Sequence, residues 1–145
     1  MVYYEGLFFD KDEVNKILAL EDNRLEIGID IIHCTFKYLP NSDEVFNELV
    51  GRYFEIDILG YGSNETNSGF CIRLPRELEE YYINTDKFGN CILPHITCSK
   101  SIDGESENTK NLMFSYFDET IRVKCRFGYC IKDINGKIFV SYDKF

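Results

Sequence analysis

The two histidines of this 145-residue chain, His33 and His95, each stand two positions before a threonine, in His33-Cys34-Thr35 and His95-Ile96-Thr97. With six threonines in the chain, chance puts one after both histidines about once in 600 sequences, which makes the match worth explaining chemically. Cleaving a phosphodiester without a metal requires one group to take a proton from the attacking oxygen and another to give one to the leaving oxygen. Imidazole, with an ordinary pKa of about 6.5, does either near neutral pH. On a strand, a threonine two residues along shares the histidine's face about 7 Å away. Its hydroxyl can donate to a non-bridging phosphate oxygen. Two such strands side by side would hold one phosphate between His33 and His95 as catalytic groups and Thr35 and Thr97 as phosphate ligands. A lone histidine on a half-buried strand is more often simply hydrogen-bonded; the pairing favours catalysis.

Further positions extend this pattern. Lys37 continues the His33-Thr35 face and Ser99 holds the corresponding place after Thr97, so both are candidate substrate contacts, although such strand residues are more often just solvated. A nucleotide base needs a stacking partner, and with no tryptophan in the chain a tyrosine or phenylalanine must serve; Tyr4 is the first choice. Arg122, Lys124 and Arg126 share a strand face as a basic stripe, the common meaning of which is a solvated surface.

The elements that must position these residues read as follows. Residues 3–9 form an aromatic strand. Asp10 then caps a helix with an acidic first turn and with Val14, Ile17, Leu18 and Leu20 at helical spacing. Residues 29–39 alternate as a strand, placing Ile32, Cys34, Phe36 and Tyr38 opposite His33, Thr35 and Lys37. Pro40-Asn41-Ser42-Asp43 breaks that strand and caps a short helix around Val45, Phe46, Leu49 and Val50, ended by Gly51. Residues 52–61 and 68–74 make a hairpin, Pro75 opens a helical turn, and residues 91–99 form the second motif strand. The polar stretch 101–110 is a surface loop or a flap over the site. A closing hairpin turns at Asn135-Gly136. The whole reads as a single α+β domain spanning 1–145, with mostly antiparallel pairing.

Composition narrows the partners. A net charge of −9 opposes the long phosphate tracks of duplex nucleic acid but leaves room for a small nucleotide or short oligonucleotide in a local pocket. No apolar run is long enough for a membrane span and no basic-apolar leader opens the chain, so a cytoplasmic monomer is expected. The six cysteines include no Cys-x-x-Cys pair. Cys34, Cys71, Cys98 and Cys125 read as small core hydrophobes, and neither a metal site nor another cofactor is expected.

The segments Ile31-Ile32-His33-Cys34-Thr35-Phe36-Lys37-Tyr38 and Ile92-Leu93-Pro94-His95-Ile96-Thr97-Cys98-Ser99 resemble the paired His-x-[Thr/Ser] strands of the two-histidine (2H) phosphoesterase superfamily. The resemblance extends over most of the chain. It implies a bilobal fold of antiparallel sheets, with a central cleft on a pseudo-two-fold axis and helices outside. It also implies metal-independent phosphodiesterase chemistry. Similar proteins include cyclic phosphodiesterases, RNA-end-processing enzymes, viral enzymes that cleave 2′,5′-oligoadenylate, and phage nucleases acting on cyclic oligonucleotide signals of bacterial defence. The long inserts and basic surface of the larger bacterial members are missing, which favours a cyclic oligonucleotide, 2′,5′-oligoadenylate or a 2′,3′-cyclic phosphate end over tRNA. The competing expectation is a nucleotide-binding module that keeps the cleft without turnover.

Overall fold

The computed structural model describes residues 2–38, 45–86 and 88–144. Alternating apolar residues build an antiparallel sheet from β1 (Val2–Phe8), β2 (Ile27–Gly28), β3 (His33–Tyr38), β4 (Tyr53–Ser63), β5 (Asn67–Arg73), β6 (His95–Lys100), β7 (Ser115–Lys132) and β8 (Ile138–Ser141). The strands follow the order β2-β6-β5-β4-β7-β1-β3, with β8 beside β7. Among the described residues two helices, α1 (Lys11–Ala19) and α2 (Arg76–Glu79), and a 3-10 helix at Ser106–Asn111 accompany the sheet, an α+β arrangement. Leu7, Ile17, Phe36, Ile58, Phe70, Leu78, Ile96 and Phe127 lose all contact with water in one core. Cys34, Cys71, Cys98, Cys125 and Cys130 are buried free thiols and Cys91 is exposed.

The opening strand and helix follow the sequence pattern. Asp10 is extended at φ −74° and accepts the Glu13 amide at 3.0 Å, satisfying a donor in the first helical turn. Elsewhere the structure departs from the pattern. Residues 47–50 are turns rather than a helix; the expected cap at residues 40–43 lies outside the described residues. The second motif strand begins at His95, not at 91, because Pro94 has no amide to give a ladder. The first motif strand likewise begins at His33 rather than at 29. The polar stretch after residue 101 contains the 3-10 helix. The closing turn spans Asp133 to Lys137: the Asp133 carboxylate accepts the Asn135 and Lys137 amides, and Gly136 alone takes a positive φ, of 82°.

Both motif strands contain the same irregularity. Phe8, Leu7 and Gly6 pair with His33, Cys34 and Thr35, after which the register slips so that Glu5 faces Lys37 and Phe36 is left unpaired. Cys71, Phe70 and Gly69 pair with His95, Ile96 and Thr97, after which Ser68 faces Ser99 and Cys98 is left unpaired. Each slip is a β-bulge, which places one extra residue in the motif strand and reverses the alternation beyond it. A glycine faces the threonine in both cases because the backbones come close: a Cβ on Gly6 would overlap the Cys34 carbonyl oxygen, and one on Gly69 the Ile96 carbonyl oxygen. β3 and β6 also lie against each other, although no ladder joins them among the described residues. Among the described residues no helix is long and apolar enough to cross a membrane.

Candidate functional site

His33, Thr35, His95 and Thr97 line one cleft of about 430 Å³, between the two motif strands and the 3-10 helix. That volume suits a small ligand. The two imidazoles share one contact, to which the Tyr4 hydroxyl adds another at His33 Nδ1, 3.3 Å away. His33 Nδ1 lies 2.7 Å from the Ile31 carbonyl oxygen, and His95 Nδ1 lies 2.8 Å from the Leu93 carbonyl oxygen. A carbonyl only accepts, so Nδ1 carries the hydrogen in both rings, and Nε2 is left to exchange protons with a ligand.

Their surroundings differ. The ring of Tyr4 stacks on His33 with centroids 4.4 Å apart and planes 27° from parallel, and Phe8 lies 6.0 Å away at 29°. The register puts Asn67 and Cys71 at the corresponding places beside His95. Burial pushes His33 down to about 4, with neighbouring His95 acting in the same direction and the Ile31 carbonyl opposing. Burial also lowers His95; the Leu93 carbonyl opposes this and nearby Lys110 adds to it. His33 is thus held neutral more firmly than His95.

The threonines differ as well. Thr97 Oγ1 is 2.9 Å from the Ser106 carbonyl oxygen and 2.7 Å from Thr109 Oγ1, which ties β6 to the 3-10 helix. The Thr35 side chain lies near the Tyr38 phenol, whose pKa burial raises and Thr35 lowers.

Three expected substrate contacts lie elsewhere, two of them for a reason the bulges supply. Beyond Phe36 the alternation reverses, so Lys37 leaves the cleft face; its ammonium sits 3.6 Å from buried Glu5 and 4.2 Å over the Phe46 ring. Tyr38 takes its place in the cleft lining, 52% exposed. Ser99 is turned inward by the bulge at Cys98, where it donates to Glu21 at 2.6 Å and accepts the Leu25 amide at 2.9 Å with no exposed surface. Tyr4 is 6% exposed and packs on His33, so it forms a wall for the imidazole rather than a platform for a base.

The structure adds residues that periodicity missed. Phe88 lines the cleft mouth at 78% exposure. Asp86 holds that loop in shape by accepting the Phe88 and Asn90 amides at 2.8 and 3.0 Å. An apolar residue inside an Asx turn was the available signal. Asn84 and Lys110 also reach the cleft. The basic stripe does not: Arg122 pairs with Asp57 at 3.1 Å, and Arg126 donates to the Gly51 carbonyl and lies over the Tyr53 and Tyr142 rings. A wider groove of about 950 Å³ over β4, β5 and β7 contains this Arg122–Asp57 pair and no histidine. Among the described residues no three His, Cys, Asp or Glu side chains are grouped to hold a metal ion. No protein-family model matches the chain, and no characterised relative matches its sequence.

Proposed function

We propose that this chain is a metal-independent phosphodiesterase of the two-histidine type, acting on a small nucleotide. The supporting observation is the matched pair of Nδ1–H contacts to the carbonyls of Ile31 and Leu93, which leaves two Nε2 atoms for one cleft. The parallel register of the two motif strands, down to Gly6 opposite Thr35 and Gly69 opposite Thr97, supports two lobes related by a pseudo-two-fold axis.

In this reading His33, held neutral, takes the proton from the attacking oxygen as that oxygen bonds to phosphorus. His95, protonated, gives its Nε2 proton to the leaving oxygen as the old ester bond breaks. A substrate 2′-hydroxyl as nucleophile yields a 2′,3′-cyclic phosphate, and water yields a linear phosphate monoester. Phosphate charge in the cleft raises both imidazole pKa values, which supplies His95 with its proton. The Thr35 and Thr97 hydroxyls donate to non-bridging oxygens where negative charge develops. Tyr38 and Phe88 offer ring faces to the flanking bases.

The test is turnover of 2′,3′-cyclic nucleotides, 2′,5′-oligoadenylate and cyclic di- and trinucleotides with EDTA present. His33→Ala and His95→Ala should each lower turnover by roughly 10²–10⁴-fold without unfolding the chain. Near-normal activity in either variant rules out the paired mechanism, and activity that requires added Mg²⁺ or Mn²⁺ rules out metal independence. Binding of all these nucleotides with turnover of none would make the chain a binding module.

A further inference from the structure

The cleft carries its charge unevenly. Among its described lining residues Lys110 is the single lysine or arginine, against the carboxylates of Asp86 and Glu107. Glu107 and Lys110 stand three positions apart on the 3-10 helix Ser106–Asn111, a spacing that places two side chains on one face of such a helix. The helix is fixed against the sheet, because Thr97 Oγ1 donates to the Ser106 carbonyl at 2.9 Å and Asn67 Nδ2 to the Glu105 carbonyl at 2.8 Å. Its two charged side chains act on opposite halves of the site. The Tyr38 phenol of β3, raised mainly by burial, is raised further by Glu107. The His95 imidazole of β6, lowered mainly by burial, is lowered further by Lys110.

No ion pair ties up the Lys110 ammonium among the described residues. Asp86 feels its charge, but the Asp86 carboxylate is engaged by the Phe88 and Asn90 amides, and the second of these lowers it most. An ammonium without a carboxylate at contact keeps its attraction for an anionic ligand. The His33 half offers no such attraction: the Tyr4 and Phe8 rings pack there, and Glu107 repels an anion from the Tyr38 side. The remaining titratable neighbours of His95 add no charge. Burial raises the Cys34 and Cys71 thiols and keeps them neutral, and His33 is held neutral as well.

We infer that Lys110 is the cation that receives the phosphate and draws it to the His95 half of the cleft, breaking the symmetry that the two His-x-Thr motifs suggest. The inference rests on the reading of the cleft as a phosphate site and deepens it, because it assigns the charge recognition to one side chain and says which imidazole is loaded with a proton. In the empty cleft Lys110 repels a proton from His95. An anion on Lys110 cancels that repulsion and adds its own attraction, so His95 gains its proton as the substrate arrives. The rise at His33 is smaller, because Lys110 contributes nothing to the shift of that ring.

The probe is inorganic phosphate on the full chain, with affinity measured by calorimetry and the two histidine titrations followed by NMR. Lys110→Gln should weaken phosphate binding roughly 10-fold or more, the worth of a hydrogen bond to a charged group, and Lys110→Arg should restore it to within about threefold. Lys124→Gln, which removes the same charge from the groove over β4, β5 and β7, should bind like the wild type. In the phosphate-free protein Lys110→Gln should raise the His95 titration and leave that of His33 in place. The alkaline limb of kcat/KM then moves to higher pH while its maximum falls, a combination that a merely structural lysine would not give. Wild-type phosphate affinity in Lys110→Gln, an equal loss in Lys124→Gln, or a His95 titration that does not move overturns the inference. If Lys110→Gln does not fold, the Cε resonance of Lys110 in the wild type decides: it should shift on phosphate addition more than that of Lys124, and equal shifts overturn the inference. Nucleotide turnover with phosphate affinity untouched by Lys110→Gln defeats this inference alone. Lys110-dependent phosphate binding without turnover of any nucleotide defeats the phosphodiesterase reading alone.

Discussion

Replacing His33 by glutamine should make the fold less sensitive to acid, by an amount that follows from its burial. The imidazole is held at about 4 in the folded chain, against an ordinary value of about 6.5 in the unfolded one. As the folded pKa is depressed, the unfolded chain binds the proton first on acidification. Stability contributed by neutral His33 is therefore present above about pH 6.5 and is lost as the pH falls towards 4. At about 1.4 kcal/mol for each pH unit between the two values, the loss is on the order of 3 kcal/mol. Glutamine can still donate to the Ile31 carbonyl but takes up no proton. Urea unfolding at pH 7, 5.5 and 4 on wild type and His33→Gln measures the difference. Subtracting the two curves cancels the contributions of His95 and of Glu5, whose carboxyl is raised mainly by burial. The wild type should lose about 3 kcal/mol more than the variant between pH 7 and 4. Parallel curves would refute the claim that the structure holds this imidazole neutral.

Tyr4→Leu should let water reach His33 and move its titration, followed by NMR, up towards 6.5, while Tyr4→Phe, which keeps the ring and loses only the hydroxyl 3.3 Å from Nδ1, should move it much less; equal behaviour of the two variants would dismiss the ring stack as the cause. Gly69→Ala should destabilise the fold by roughly 3 kcal/mol or more, because the new methyl meets the Ile96 carbonyl oxygen and stands 2.8 Å from Thr109 Cγ2; an unchanged denaturation midpoint would show that the strands can part there at little cost. The kcat/KM profile should be a bell on the acid side of neutrality, its acidic limb near His33's value of about 4 and its alkaline limb set by the lowered His95. The kcat profile should lie at higher pH because bound phosphate raises both groups. A kcat/KM profile flat from about pH 5 to 9 would exclude the pair.

The strands, the first helix and the convergence of the two motifs were legible because they depend on local signals: alternation, the Asp10 cap and the repeated His-x-Thr spacing. The positions just beyond each threonine were not. A bulge is decided by how closely the partner strand approaches, and Gly6 and Gly69 lie 29 and 28 residues from the threonines they face. Strict alternation therefore assigned Lys37 and Ser99 to the cleft, where Tyr38 was the residue to expect. The short helix around Val45 failed for a different reason: Phe46 has its amide bound by buried Glu5 at 2.9 Å, a tertiary contact invisible to helical spacing. The 3-10 helix was hidden in a polar stretch because its anchors, Thr97 and Asn67, belong to other strands.

Among the described residues no ladder joins β3 and β6, and this bears on how the site moves. Hydrogen bonds run from β6 through β5, β4, β7 and β1 to β3, so His33 and His95 stand on either side of a seam that backbone pairing does not stitch. Strands within a ladder separate only by breaking a row of bonds, whereas the two edges of a seam can part by side-chain rearrangement alone. Parting along this seam would change the gap between the two imidazoles. In the proposed reading, phosphate held by both threonines would act as a clasp across that gap, bringing the two imidazoles to working distance.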